Sequence, residues 1–176
     1  MNTYSVNVND CNFDTEILKA GDMVRLNGTV FTARDAAHKK IFSLINAGKE
    51  LPFDLKNAAV YYAGPTPNKP GSVIGSCGPT TSGRMDIYTP TLIDMGLKYI
   101  IGKGDRSESV YQAIMRNSAV YFCAVGGAGA LYSKHIVSCE VIAFEELGCE
   151  SVKRITVSDF PVFVGIDSFG GSIYLK

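Results

Sequence analysis

The 176-residue chain is long enough for one domain with a full core, and 46% hydrophobic with 19% charged residues excludes a disordered protein. Seventeen basic residues balance seventeen acidic ones, so the basic excess of a nucleic-acid footprint is absent. The opening residues MNTYSVNVNDCNFDTE lack the basic and apolar parts of a signal peptide, and the longest uncharged stretch, Ser118 to Ser133, is too short and Gly-rich to span a bilayer. The expectation is a single domain over 1–176, cytoplasmic, with neither membrane nor nucleic acid among its partners.

Met23 to Thr32 alternates like a strand, with a turn expected at Asn27-Gly28. Arg34 to Ala47 places Ala37, Ile41, Leu44 and Ile45 on one helical face, with Thr32 as a candidate N-cap and Gly48 as the stop. Ala58 to Ala63 reads as a short buried strand, the three-proline run Gly64 to Ser72 as a loop, and Val73 to Ser76 as another short strand. Met85 to Met95 looks helical, provided Pro90 sits in its first turns. Leu97 to Ile101 follows as a strand, Ser107 to Asn117 as a helix, and Ala119 to Val125 as an apolar strand covered on both faces. Gly126 to Gly129 opens a short helix reaching Lys134. Ile136 to Phe144 and Val162 to Ile166 complete the strands, and Ser168 to Gly171 is a turn. Strands alternating with short helices predict an α/β domain, its mixed sheet extended by antiparallel strands from the N-terminal section.

GPTTSGRMD, Gly78 to Asp86, concentrates the candidate chemistry. Three hydroxyls (Thr80, Thr81, Ser82) and Arg84 lie between a Gly-Pro turn and an expected helix start, where free backbone N–H groups favour an anion. The planar fork of Arg84 suits a carboxylate or phosphate. Arg34 opens its helix against the dipole, either as a surface residue or because it and the helix N-terminus hold one carboxylate together. Lys103, between Gly102 and Gly104 at a strand's end, stands where ligands collect in α/β sheets. It is no nucleotide P-loop lysine, because Gly104 follows where Ser or Thr is required. GGAGA, Gly126 to Ala130, reads as close helix packing, or as an anion nest. His38 is a ligand contact or a structural histidine, the latter being the plainer reading. Asp86 and Asp105 read as acids that orient Arg84 and Arg106. Five cysteines without a secretion signal read as reduced thiols; nine residues separate the nearest pair, so this chain's own side chains are expected to hold no metal. Cys77 has no neighbouring base to make it a nucleophile.

Several blocks resemble, in order, the C-terminal (β) part of class I, iron–sulfur fumarate hydratases and the related L-tartrate dehydratase β subunits. They are ARDAAHKKI (Ala33 to Ile41), YYAGPTPNKPGSVIGSCGPTTSGRMDIYTP (Tyr61 to Pro90), IGKGDRS (Ile101 to Ser107), AVYFCAVGGAGAL, and DFPVFVGIDSFGGSIY (Asp159 to Tyr174). The resemblance implies a swivelling β/β/α domain with a mixed sheet flanked by short helices. It implies a hydro-lyase, most simply fumarate hydratase, active with an α subunit that holds a [4Fe–4S] cluster whose open iron acts as Lewis acid. A hetero-oligomer and a small dicarboxylate substrate follow from the same likeness. By position it assigns Arg34, Arg84 and Lys103 to the substrate carboxylates and Thr80 to the base. GGAGAL stands where the family more often has GGAAAL, which is a packing change. The alternatives are an L-tartrate dehydratase β subunit and a non-catalytic carboxylate-binding domain.

Overall fold

The computed structural model describes residues 1–174. Its strands are β1 (Thr3–Asn7), β2 (Met23–Thr32), β3 (Ala59–Tyr61), β4 (Tyr99–Gly102), β5 (Val120–Cys123), β6 (Ile136–Ala143) and β7 (Val152–Ile166). The helices are α1 (Asp35–Asn46), α2 (Thr89–Asp94), α3 (Glu108–Arg116) and the single turn α4 (Gly129–Tyr132). The sheet order is β1-β2-β3-β4-β5-β7-β6, and β2 also pairs with β7. Strands β2, β3, β4, β5 and β7 therefore close into a five-stranded barrel, which β1 and β6 extend. β2 to β5 are parallel neighbours, while β7 runs antiparallel to both β2 and β5. The expected mixed sheet with short helices is present; its closure was not foreseen.

Strand alternation explains why the short strands are apolar on both faces. Ala59, Tyr61, Tyr99, Ile101, Val120 and Phe122 join one core with β2 and β7. Val60, Ile100 and Tyr121, the residues between them, join a second core against α1, α2 and α3. The buried faces of α1 (Ala37, His38, Ile41) and α3 (Val110, Tyr111, Ala113, Ile114) cover that second core.

Five expectations change. Asn27-Gly28 is a bulge inside a continuous strand, not a turn: the β2–β7 register shifts between Leu26 and Gly28, and Gly28 has φ +109°. β1 joins β2 in parallel rather than antiparallel register, residues 8–22 making the return crossing. Val73 to Ser76 is not a strand, since its chain folds back on Thr66, with Ser76 N donating to Thr66 Oγ1 at 2.9 Å. β7 begins ten residues before the expected strand, at Val152; Asp159 with positive φ and Pro161 hide its first half in the sequence. The helix expected from Met85 also starts later, at Thr89, with Pro90 in its first turn.

The four parallel strands bring their carboxyl ends to one edge, the position where α/β sheets carry their sites. Arg34 follows β2, the loop containing Thr80 and Arg84 follows β3, Lys103 follows β4, and Gly126 follows β5. Among the described residues no helix is long and apolar enough to cross a membrane.

Candidate functional site

Arg34 occupies the N-cap position of α1 but makes no side-chain cap, and Thr32, the expected cap, is buried and accepts from Lys153 N at 3.2 Å. The cap comes from the far end of the chain. Glu150 Oε2 accepts from Ala36 N at 2.8 Å, and its other oxygen lies 3.5 Å from Arg34 Nε. The idea that Arg34 and the helix N-terminus share one carboxylate is realised by an internal acid. Gly64 makes room for this: a Cβ there would come within 2.9 Å of Arg34 Cδ and 3.3 Å of Cys149 O, so any side chain would push the arginine aside.

Asp35 ties Arg34 to Arg84. Its Oδ2 is 3.3 Å from Arg34 Nε; Arg84 donates through Nε to Oδ1 at 2.7 Å and through Nη2 to Oδ2 at 3.1 Å. The fork holds the Asp35 carboxyl below the usual carboxylate range, Arg84 being the main cause. The same Nη2 donates to Thr80 Oγ1 at 2.6 Å. Thr80 does not cap a helix. Its N–H donates to Tyr62 O at 2.8 Å, and the segment beyond is one turn of 3₁₀ helix, Ser82–Met85, whose first N–H is spent on Lys103 O at 2.9 Å. An anion at this loop would therefore be met by its side chains, not by a helix end.

Lys103 reaches the same edge without joining the chain of contacts. Its backbone bridges Thr81, and its side chain lies over Gly126, whose added Cβ would stand 3.5 Å from Nζ. No hydrogen bond links its ammonium to Arg34, Thr80 or Arg84 among the described residues. The two loops are locked together by a buried hydroxyl pair: Ser82 Oγ lies 2.9 Å from Tyr121 OH, which donates to Gly104 O at 2.9 Å. Gly129 packs on Gly78 and Ser76, so the glycine run serves close packing, against that loop rather than the sheet.

Asp86 pairs with Arg106, not Arg84: Arg106 Nε donates to its Oδ1 at 2.7 Å, and its Oδ2 accepts from Ser107 N at 2.5 Å, while Arg84 uses Asp35 instead. Behind Arg106 lies His38, fully buried, with Nδ1 2.9 Å from Arg34 O and the ring against Tyr62 and Tyr88. Burial, opposed by the hydrogen bond to Arg34 O, with Arg106 adding to the shift and Asp35 opposing it, pushes its pKa down from 6.5 to about 4. Protonation thus favours the unfolded chain, and stability falls as pH drops from about 6.5 to 4, by up to about 3 kcal/mol. His38→Asn, which keeps a donor near the Nδ1 position, should flatten that part of the stability–pH curve in denaturant titrations. An equal slope in both proteins would show that another group is responsible.

Sequence reading missed the site's acids. Asp35 drew no reading of its own, although an acid beside Arg34 could have signalled a clamp. Glu150 carries no local signal, since 114 residues separate it from its partner Ala36. The five cysteines are unpaired, and burial pushes the Cys77 thiol up to about 12, which makes it inert. Among the described residues no three His, Cys, Asp or Glu side chains converge to hold a metal ion.

Fold and site define an α/β barrel domain that gathers cations, partly neutralised by its own acids, at one sheet edge. The chain matches the family model described as the fumarase C-terminus over residues 1–176, and it belongs to that family. It is 42% identical to fumarate hydratase 2 of Leishmania major over 158 residues, which is 89% of this chain and 28% of that protein. It is 42% identical to the anaerobic class I fumarate hydratase of Escherichia coli over 151 residues, 85% of this chain and 28% of that one. The chain therefore spans just over a quarter of these relatives. A Methanocaldococcus jannaschii protein named L(+)-tartrate dehydratase subunit beta, an assignment its name marks as provisional, is 38% identical over 167 residues, 92% of this chain and 86% of that one.

Proposed function

We propose that this chain is the β part of an iron–sulfur hydro-lyase that interconverts fumarate and L-malate, the cluster belonging to a separate α chain. The continuous contact path from Thr80 through Arg84 and Asp35 to Arg34 carries the reading. It links a hydroxyl to two guanidinium groups, which suits a substrate with a carboxylate beside an acidic C–H. Arg34, Arg84 and Lys103 bind the substrate carboxylates, and one of them meets the charge that grows as the adjacent carbon loses its proton. Thr80 takes that proton. For that Thr80 must first give its own hydroxyl proton to solvent; Arg84 Nη2 occupies a lone pair of Oγ1 and favours the alkoxide, which then accepts the C–H proton and is left as the hydroxyl. In this reading the domain is the swivelling β/β/α unit of a cytoplasmic hetero-oligomer, closing over the partner's site.

The 42% identities favour fumarate; the likeness to a protein named as a tartrate dehydratase β subunit favours a separate partner chain and keeps tartrate as the second substrate to try. Anaerobic co-expression with an α-type chain should give fumarate hydration that neither chain shows alone. Malate formation by this chain alone after iron chelation would overturn the division of labour. Fumarate binding without turnover of any dicarboxylate by the assembled pair would support the non-catalytic alternative.

A further inference from the structure

We propose that Asp35 and Glu150 are positioning residues: each holds the Nε side of a guanidinium so that the remaining amino groups of Arg34 and Arg84 are pre-aimed at the ligand. The inference rests on the carboxylate-binding reading above and names the residues that shape the site.

A guanidinium offers its five N–H groups along two edges, and only one needs an internal partner to fix the plane. Here the internal acids take Nε of both arginines, plus Nη2 of Arg84. Among the described residues, Arg34 makes no hydrogen bond through Nη1 or Nη2, and Arg84 makes none through Nη1. The Arg84 side chain is 48% exposed and Asp35 37%, a degree of exposure at which an ion pair adds little stability. Geometry, not stability, is what this bridge supplies. A free arginine samples many rotamers, so holding two of them before the ligand arrives removes an ordering cost from binding.

Glu150 is itself held. The Lys153 ammonium, nearly buried, donates to Gly148 O at 3.1 Å, Cys149 O at 3.2 Å and Ser151 Oγ at 2.7 Å, fixing the turn on both sides of Glu150. Among the described residues no acid pairs with that ammonium, and its donors go to the turn. The arrangement runs against simple electrostatics, because two negative charges beside an anion site weaken anion binding. Positioning and Coulomb repulsion therefore predict opposite results when the charges are removed.

Asp35→Asn and Glu150→Gln test this in the assembled enzyme. Both keep the side-chain shape, and Glu150→Gln keeps an acceptor for Ala36 N, so the helix cap survives. Positioning predicts that KM for fumarate and malate rises by roughly 10-fold, with a smaller change in kcat. A KM that falls or stays the same in both variants overturns the proposal. The free chain gives an independent readout by NMR. The Nε–H signals of Arg34 and Arg84 should be slow to exchange in the wild type and faster in the variants, Asp35→Ala, which leaves no oxygen to accept them, showing the largest change. Equal protection in the variants overturns positioning whatever the substrate is. An assembled wild type that turns over neither fumarate nor tartrate would instead refute the proposed function, leaving the NMR result to decide the role of the acids.

Discussion

Thr80→Ala is expected to lower kcat of the assembled enzyme by roughly 10²–10⁴ with little change in KM, the loss typical of a removed proton-transfer group. The alternative role, helix capping, predicts about 1 kcal/mol of lost stability and near-normal turnover. The geometry already weakens that alternative, since Thr80 Oγ1 contacts Arg84 Nη2 and the cap position of the following turn belongs to Thr81, which makes no side-chain cap. Thr80→Ser keeps the oxygen and its bond to Arg84 and should retain much more activity than alanine. Arg84→Lys separates charge from shape. It preserves one positive charge but cannot grip Asp35 through two nitrogens while also reaching Thr80, so both KM and kcat should worsen. Steady-state kinetics at equal cluster content distinguish these cases, and near-normal kcat in Thr80→Ala would remove Thr80 from the mechanism.

What was legible in the sequence follows from the range of the interactions involved. Short apolar runs such as Ala119 to Val125 announced a central strand because both faces of β5 meet a core within a few residues. The loop chemistry was legible for the same reason, Thr80 and Arg84 being four residues apart and in direct contact. Closure of the barrel was not, because it depends on β7 passing from β2 to β5, and a strand interrupted by positive φ at Asp159 and by Pro161 does not read as one. The acids escaped for a related reason. A basic residue in a loop is conspicuous, whereas Glu150 is an ordinary acid in an acidic turn until folding carries it to the start of α1. Reading cations alone thus overstated the positive charge of the edge, where Asp35 and Glu150 offset part of what Arg34, Arg84 and Lys103 bring.

The largest stability effect is expected at Arg106, which touches none of the proposed site residues. Its side chain is fully buried; besides Asp86 it donates through Nη2 to Thr89 Oγ1 at 2.8 Å and lies over the rings of Tyr62 and Tyr121. Thr89 Oγ1 in turn donates to Met85 O at 2.9 Å and lies 2.8 Å from Tyr62 OH, so one guanidinium joins the end of the 3₁₀ turn, the start of α2 and the middle of the sheet. Arg106→Met fills similar space but leaves the Asp86 carboxylate, only 12% exposed, without its counter-charge. Breaking one side of a buried pair costs about 3–5 kcal/mol, a large share of the roughly 5–15 kcal/mol that holds a domain together. For a chain of this size that corresponds to a Tm lower by roughly 6–20 °C. Asp86→Asn should be milder, because the amide oxygen can still accept from Arg106 Nε. Removing both charges together, as Arg106→Met with Asp86→Leu, should recover part of the loss, since no uncompensated ion then remains. Denaturant titration of these variants, with Asp86→Leu alone to close the cycle, gives the coupling directly. A loss below about 1 kcal/mol in Arg106→Met would mean that water reaches Asp86 and that the pair is not the anchor its burial indicates.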